Sequence, residues 1–354
     1  MKNTTSGKTG KKTVAASIMG GFGVLLFIVV FFFSVSTGSV GFSFTDVVRV
    51  LAGYLLGLGD TGDIPESLVT IIINVRLPRV ILSALAGAAL SISGAAMQGL
   101  LKNPLADGST LGITSGGALG AVISIAAGFN LPFFPNLGLV FMSILFSFLS
   151  LILILTLTYK IDYNLSNQTI ILNGVIFSML ASSITSLIVS LSGNNLKQVV
   201  FWTMGSFSGR GWSYVVLMLP FFVAGAVPLL FLSRELDAFS LGEEQAEYIG
   251  VNTKKVKLLI LILVSVLTGV SVAVSGTIGF VGLVIPHMTR FIAGPNHKKL
   301  LPVSALFGAG FLMATDLLSR TILSPAELPI GVVTSLIGAI LFIYIFYSRT
   351  GVKG

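Results

Sequence analysis

The sequence predicts an all-α membrane protein of about ten transmembrane helices in a compact bundle, with the N- and C-termini in the cytoplasm. Of its 354 residues, 54% are hydrophobic and 10% are charged, whereas soluble domains carry about 25% charged residues. The apolar residues fall into ten runs, and many of the 40 glycines lie inside them. Lipid is therefore the expected solvent for most of the chain, and small residues are expected where helices meet.

The first apolar run, residues 14–35, follows a lysine-rich segment, residues 1–13. A signal peptide has a shorter apolar region of roughly 7–15 residues and a small-residue cleavage site. We therefore expect an uncleaved first helix with a cytoplasmic, basic N-terminus. Residues 14–348 are expected to form one transmembrane domain, followed by a cytoplasmic tail, residues 349–354.

The remaining runs give an even number of spans, which returns the C-terminus to the cytoplasm. Residues 44–58 are amphipathic and are expected to lie along the outer membrane surface. The predicted spans are 14–35, 78–100, 109–128, 137–158, 168–191, 213–233, 256–274, 278–293, 300–317 and 330–348.

The basic residues agree with this orientation. The chain has 21 Lys and Arg residues, and most of them fall in loops that the topology places inside. This bias is the one expected of cytoplasmic loops. The basic residues predicted outside are Arg49, Arg76, Arg79, Lys197, Arg210 and Arg320.

Three of the outer arginines come from the start of the second span and the end of the ninth: Arg76, Arg79 and Arg320. Converging guanidinium groups suit carboxylates on a docking partner, because each can bind a carboxylate in a bidentate fork. Snorkelling at the membrane interface is an equal alternative. As a third interpretation, Asp316 and Glu327, which flank Arg320 in the sequence, could form ion pairs with it inside the protein.

The cytoplasmic loop at about residues 236–253 contains a predicted short helix over residues 241–249. Ser240 and Glu243 have the spacing of a capping box, and Gly250 fits the position after a helix C-terminus. A helix this short has marginal stability on its own, so we expect a partner to hold it. A cytoplasmic motor subunit is the natural candidate, and the alternative is a solvated loop helix without a partner. The candidate contact residues are Leu241, Gly242, Glu243, Glu244, Gln245, Ala246, Ile249 and Gly250.

Two further segments suggest a path through the bundle. Glycines and Pro286 in and around residues 275–287 are typical of an interrupted helix that lines a path. Polar amides at residues 164–169, including Asn167 and Gln168, could narrow an aqueous path or simply form a turn with a helix cap.

Composition argues against several other classes. The chain has no cysteine and two histidines, so neither a disulfide nor a typical metal cage is expected. The net charge of +8 lies in short loops between spans, so no nucleic-acid partner is expected. No plausible catalytic pair and no ATPase motif are present, so we expect a chain that is not an enzyme and binds no cofactor.

In order and spacing, the motifs resemble the iron-siderophore and cobalamin permease family of type II ABC importers. The resemblance covers about residues 76–349, nearly the whole chain. Its landmarks are Arg76-Leu77-Pro78-Arg79, Ser93 to Gln98, Asn103-Pro104-Leu105-Ala106-Asp107, Leu241-Gly242-Glu243, Gly279 to His287, Asp316 to Arg320, and Glu327 to Thr334.

This resemblance implies a subunit of the bacterial cell membrane that pairs with a second permease, identical or paralogous. Two cytoplasmic ATPases, which hold ATP and Mg²⁺, and an extracellular binding protein complete such an importer. The resemblance implies that the three arginines meet the binding protein and that the loop helix meets the ATPase. It places Asn103, Leu105, Asn167 and Gln168 near the cytoplasmic gates. Gly108 stands where the family often has proline, which is expected to loosen that turn.

An iron(III)-siderophore complex is the expected substrate, with the hydroxamate type favoured, because most of the family handles iron chelates. Haem and cobalamin remain alternatives. An alternative from another class is a stand-alone transporter driven by an ion gradient. Such proteins commonly place ionisable residues inside their spans, and these spans are nearly free of charge.

Overall fold

The computed structural model describes residues 21, 23–38, 41–56, 64–129, 131 and 137–350. The whole basic segment, residues 1–13, lies outside this part, as do the start of the first predicted span and residues 351–354. The all-α membrane fold predicted from the sequence is confirmed. Within the described residues, six helices are long and apolar enough to cross a membrane, and four shorter apolar helices accompany them.

These ten apolar helices fall on the ten predicted spans; most ends shift by a few residues, but the second helix begins at Glu66, 12 residues before its predicted start. They are α1 (Gly23–Ser36), α3 (Glu66–Leu100), α4 (Ile113–Ala127), α5 (Gly138–Ile161), α6 (Asn167–Leu191), α8 (Trp212–Phe231), α11 (Thr253–Ser275), α12 (Val281–Ala293), α13 (His297–Thr321) and α14 (Ile330–Thr350). Four further helices lie between them: α2 (Phe44–Leu56), α7 (Leu196–Thr203), α9 (Ser233–Leu241) and α10 (Glu243–Tyr248).

Helix α3 lies at the centre of the bundle and is buried along most of its length. It packs against α8, α11, α12 and α13. A π-helical turn, Ile71–Arg76, interrupts it just before Pro78. Such turns are frequent at functional sites, and this one ends at Arg76.

Glycines set the closest approaches of α3 to its neighbours. A Cβ atom on Gly87 would collide with the backbone of Gly308 on α13, and the reverse is also true. One on Gly94 would collide with the backbone of Gly282 on α12. Because apolar burial drives helices together weakly in lipid, such backbone contact is a main source of packing energy.

The predicted interruption after α11 is present. Helix α11 ends at Ser275, residues 276–280 are not helical, and Phe280 adopts a positive φ of 67° before the short helix α12. Backbone bonds hold this region: Ser206 donates to the Ser275 carbonyl at 2.7 Å, and Ile330 donates to Gly205 at 3.1 Å. Irregular backbone is tolerated at membrane depth where protein satisfies its polar groups.

A helix is found over the predicted amphipathic segment, and its position along the outer membrane surface stays a prediction. Helix α2 buries Val47, Val50 and Leu51 in an apolar cluster with Ile72 and Ile73 of α3. Its other side is exposed, including Phe44 and Val48.

The glycine contact between α3 and α13 predicts a sharp contrast between two neighbouring glycines. Gly308→Ala should lower the thermal stability of the protein in detergent, because its methyl group meets the Gly87 backbone and Ser91. Overpacking of this kind costs about 1–3 kcal/mol. Gly310→Ala is the matched control, since nothing lies within 4 Å of a Cβ there. Equal unfolding temperatures for the two variants would contradict the account.

Candidate functional site

A buried ionic cluster lies at one end of the bundle, which we call the arginine end. Arg79 is its centre: it binds Asp316 of α13 through Nη2 at 2.9 Å and Glu327 through Nη1 at 2.8 Å. The Asp316 carboxylate also lies 3.5 Å from Nε of Arg320. The guanidinium of Arg79 thus joins α3, α13 and the loop before α14 in bidentate pairs.

Helix α1 closes the cluster from the side. Arg76 donates to the carbonyls of Val35 and Ser36 at 3.0 and 2.7 Å and stacks on the Phe42 ring at 4.2 Å. Arg320 donates to the Ser34 carbonyl. The unpaired carbonyls at the end of a helix carry partial negative charge, so α1 stabilises these two cations.

The structure therefore brings the three predicted arginines together, but each is buried, with 5–8% of its surface exposed. The internal pairing with Asp316 and Glu327 is present, mainly through Arg79. Contact with a binding protein stays a prediction. Burial acts to raise the pKa of Glu327, but the hydrogen bond and charge of Arg79 outweigh it and lower that pKa. The Glu327 pairing is thus complete above the ordinary pKa of a glutamate and is lost only as the pH falls through the lowered value.

The candidate coupling loop lies at the opposite end of the bundle, which we call the coupling end. Here the predicted short helix over residues 241–249 is present as α10, but it starts two residues later than expected, because α9 and α10 meet at Gly242, whose φ is +142°. The predicted Ser240 capping box is wrong, because the Ser240 hydroxyl donates to the Leu236 carbonyl of α9. Ser240 continues the first helix because the break falls at the glycine, which alone tolerates that backbone conformation.

The predicted end of the loop helix is confirmed. Gly250 has a φ of +91°, and its N–H donates to the Glu247 carbonyl at 2.9 Å. Val251 donates to Ala246 at 3.0 Å, which completes a Schellman motif.

The coupling loop presents apolar side chains away from the bundle. Leu241, Tyr248 and Ile249 are 68%, 87% and 66% exposed. Glu244 and Gln245 are exposed beside them, whereas Ala246 is fully buried. Ala246 therefore supports the loop from inside and does not offer a contact surface.

A buried lysine that the sequence analysis did not single out anchors this loop. Lys257 of α11 is fully buried, and its Nζ lies 2.7 Å from the Glu243 carboxylate and 2.9 Å from the Leu165 carbonyl. It joins α10 to the loop between α5 and α6. Its signal in the sequence is a lysine one turn inside an apolar helix, where a charge is costly unless it is paired.

A second lysine makes a parallel link. Lys102, just after α3, donates from Nζ to the Leu241 carbonyl at 3.2 Å. The loop between α3 and α4 is thereby tied to the coupling loop as well.

The candidate gate residues lie on these two tied loops. Asn103 accepts from the Leu105 N–H at 2.9 Å, and Leu105 is 52% exposed. Asn167 begins α6 and donates to the Leu100 carbonyl at 3.4 Å, while Gln168 is exposed. Asn167 thus contacts the end of α3, and no hydrogen bond joins its side chain to that of Asn103.

The turn before α4 is well held, contrary to the expectation for Gly108. The Asp107 side chain accepts from the N–H groups of Ser109 and Thr110, and the Thr110 hydroxyl accepts from the Asp107 N–H in return. A Cβ on Gly108 would meet the Thr268 side chain, so close packing against α11 explains the glycine.

The turn before α6 is built on Asp162 and not on the amides. Hydrogen bonds from the Ser166 hydroxyl and from the N–H groups of Asn164 and Ser166 lower the pKa of Asp162. The amides of Asn167 and Gln168 are thus available for other contacts.

Two neighbouring cavities, which together we call the passage, have volumes of about 620 and 420 Å³. Both are lined by Thr114, Thr203 and Thr277, and further hydroxyl groups line each one. Asp107 supplies the one charged side chain among the described lining residues, and that carboxylate already caps the turn before α4. The described lining residues of the passage carry no positive charge and are rich in hydroxyl groups.

No metal centre is formed in the part of the chain described: no group of three or more His, Asp or Glu side chains lies close enough to hold an ion. His297 instead lies 2.6 Å from Asp237 and links α13 to α9. His287 stacks edge-on against Phe291.

Comparison with known proteins gives one family. The model of the FecCD transport family matches residues 26–348. The chain is 48% identical over 315 residues to the uncharacterized ABC transporter permease protein YvrB of Bacillus subtilis (strain 168), covering 89% of each protein. It is 38% identical over 286 residues to the cobalamin import system permease protein BtuC of Halobacterium salinarum, covering 81% of this chain and 76% of that one.

A solved structure also matches. It is described as an inward-facing conformation of a metal-chelate type ABC transporter. The TM-score is 0.82 at 34% identity, and the match covers 94% of this chain and 99% of that chain.

From the contacts of Lys257, we predict that a substitution there separates ATP hydrolysis from substrate transport in the assembled complex. Lys257→Met keeps the length of the side chain but removes its bonds to Glu243 and the Leu165 carbonyl. We expect ATP hydrolysis to continue while substrate transport falls at least tenfold, because the coupling loop loses its tie to the α5–α6 loop. Both rates are measured on the same proteoliposomes.

Lys255→Met is the matched control, since Lys255 is exposed on the same helix. It should transport at the normal rate. Normal transport by Lys257→Met would show that the anchor plays no part in coupling.

Proposed function

This chain belongs to the FecCD transport family and is a permease of an ABC importer, and we propose that it carries an iron(III)-siderophore complex of the hydroxamate type. Two such permeases, identical or paralogous, would enclose the path. Two cytoplasmic ATPases would hydrolyse ATP, and an extracellular binding protein would deliver the substrate. In this proposal the chain itself binds no cofactor.

The absence of positive charge among the described lining residues of the passage is the observation that supports the substrate. Three hydroxamate groups carry one negative charge each, so they neutralise Fe³⁺ and the complex crosses without charge. A ferric complex of three catecholates keeps a triple negative charge, which a passage lined by hydroxyls and Asp107 does not compensate. Hydroxyl groups can meanwhile bind the carbonyl and N–O oxygens of a hydroxamate.

The coupling loop supports an ATP-driven mechanism. We propose that the exposed Leu241, Gln245 and Ile249 enter a groove on the ATPase, with Glu243, Glu244 and the loop glycines Gly242 and Gly250 shaping the loop. Leu241, Tyr248 and Ile249 are exposed apolar side chains of this loop, and exposed apolar surface of this kind is typical of a protein interface. Motion of this surface would reach Asn103, Leu105, Asn167 and Gln168 through the Lys102 and Lys257 links.

Uptake of labelled substrates tests the substrate proposal. Cells that lack this gene should lose uptake of a ferric trihydroxamate and regain it with the gene restored, while uptake of a ferric triscatecholate, haem and cobalamin stays unchanged. Loss of cobalamin uptake alone would contradict the proposal and favour the cobalamin alternative, for which the relative from Halobacterium salinarum gives support. Cells in which the gene is restored, but whose partner ATPase carries a change that abolishes ATP hydrolysis, should take up no substrate.

We propose further that the arginine end receives the binding protein. Three arginines converge at this end, and a guanidinium group can bind a carboxylate in a bidentate fork, so an acidic side chain of the partner suits it. Glu327 competes for Arg79, and about a third of its side chain is exposed.

Glu327→Gln should therefore strengthen docking of the binding protein to the assembled importer. We expect a Kd about two- to fivefold lower, as for a partly exposed ion pair, with a steeper dependence on salt. Glu66→Gln is the control, because Glu66 is an exposed acid at the start of α3, the helix that carries Arg79. Weaker docking of Glu327→Gln, or docking that salt does not affect, would contradict the proposal.

A further inference from the structure

A third cavity lies apart from the passage and shares no lining residue with it. It has a volume of about 640 Å³ and lies where α4 ends and α5, α7 and α8 begin. Its size falls within the range of small-ligand sites. The argument below rests on Phe129, Phe201, Trp202, Arg210 and Tyr214, all of which line it.

Two buried donors in this cavity have no acceptor in the described part of the protein. Trp202 is 8% exposed, and its indole N–H is unsatisfied. The Nε–H of Arg210 is unsatisfied as well. Leaving such donors buried without a partner costs about 1–3 kcal/mol each, so a ligand that accepts from them would be stabilised.

The guanidinium of Arg210 is held in position for such a ligand. It donates through Nη1 to the Tyr214 hydroxyl at 2.6 Å and stacks on that ring at 4.5 Å. Within the described residues, no carboxylate lies within ion-pair distance of Arg210 or lines the cavity. Glu327 bonds to Ser208 at the rim, but its charge is engaged by Arg79.

One positive charge with two free donors suits an oxyanion that carries one negative charge. Exposed aromatic rings lie beside these donors: Phe201 is 50% exposed and Phe129 is 39% exposed. Apolar surface next to an anion site, at the end of the spans, suits a headgroup with acyl chains attached. A free anion would gain nothing from the two rings.

We propose that this cavity binds the phosphodiester of a phospholipid headgroup, with Arg210 and Trp202 as its donors and the acyl chains lying over Phe201 and Phe129. Binding at this point would hold α7 and the start of α8 against the end of α4. The site is separate from the proposed substrate passage.

Lipid retention by the delipidated importer complex tests this site. Native mass spectrometry with added phosphatidylglycerol should show a tightly held lipid for each copy of this chain. Arg210→Gln should remove that lipid, and Trp202→Phe, which keeps the ring and deletes the N–H, should weaken its binding severalfold. Lys197→Gln is the control, because it removes a charge from an exposed site on α7 outside the cavity.

The outcomes separate the possible ligands. Thermal stability should rise with phosphatidylglycerol in the wild type and not in Arg210→Gln, and the two proteins should unfold alike without lipid. Lipid retention by Arg210→Gln equal to that of the wild type would overturn the site. An equal rise in stability with inorganic phosphate or citrate would overturn the lipid assignment.

Discussion

The close contact of α3 with α12 and α13 is the constraint on which both functional ends depend. Gly87 lies against Gly308, and Gly94 lies against Gly282, so no side chain separates the backbones. Residues 77–100 of α3 form a 24-residue helix, which spans about 36 Å. It carries Arg79 at one end and leads into the Asn103 loop at the other. A shift of α3 against α13 would strain the Arg79–Asp316 pair and the glycine contacts together.

At the coupling end, two lysines connect the loops that follow α3 and α5 to the coupling loop. Lys257 ties α10 to the α5–α6 loop, and Lys102 ties the α3–α4 loop to Leu241. Both candidate gate loops are therefore attached to the surface that we assign to the ATPase. We infer that the coupling loop and the gate loops of one chain move together, so that the passage opens by motion between the two permeases. Packed interiors favour such motion of whole bodies over continuous bending.

The spans could be predicted from the sequence because each apolar run has its own signal of length and composition. The end of the loop helix at Gly250 was predictable for the same reason, since a glycine after a helix is a local feature. The partners of Arg79 could not be assigned, because Asp316 and Glu327 lie more than 230 residues away in sequence. The break at Gly242 was missed because the Ser240–Glu243 spacing matched a capping box, whereas the chain uses Ser240 to extend α9. Lys257 was missed because a lysine at the start of a span normally marks the membrane boundary. Here its buried ammonium group instead binds Glu243 and the Leu165 carbonyl and so joins two loops.

A reversible cross-link tests most directly whether the loops move together. Asn164 and Glu247 line one cleft together with Glu243, and the chain contains no cysteine, so Cys substitutions at these two positions can be joined by a short bis-maleimide reagent that contains a disulfide. The measurement is ATP-driven uptake by the reconstituted importer before cross-linking, after it and after reduction. The account predicts that the cross-linked importer transports at the rate of the reduced one. Uptake that stops on cross-linking and returns on reduction would show that the loops must separate, and would contradict it.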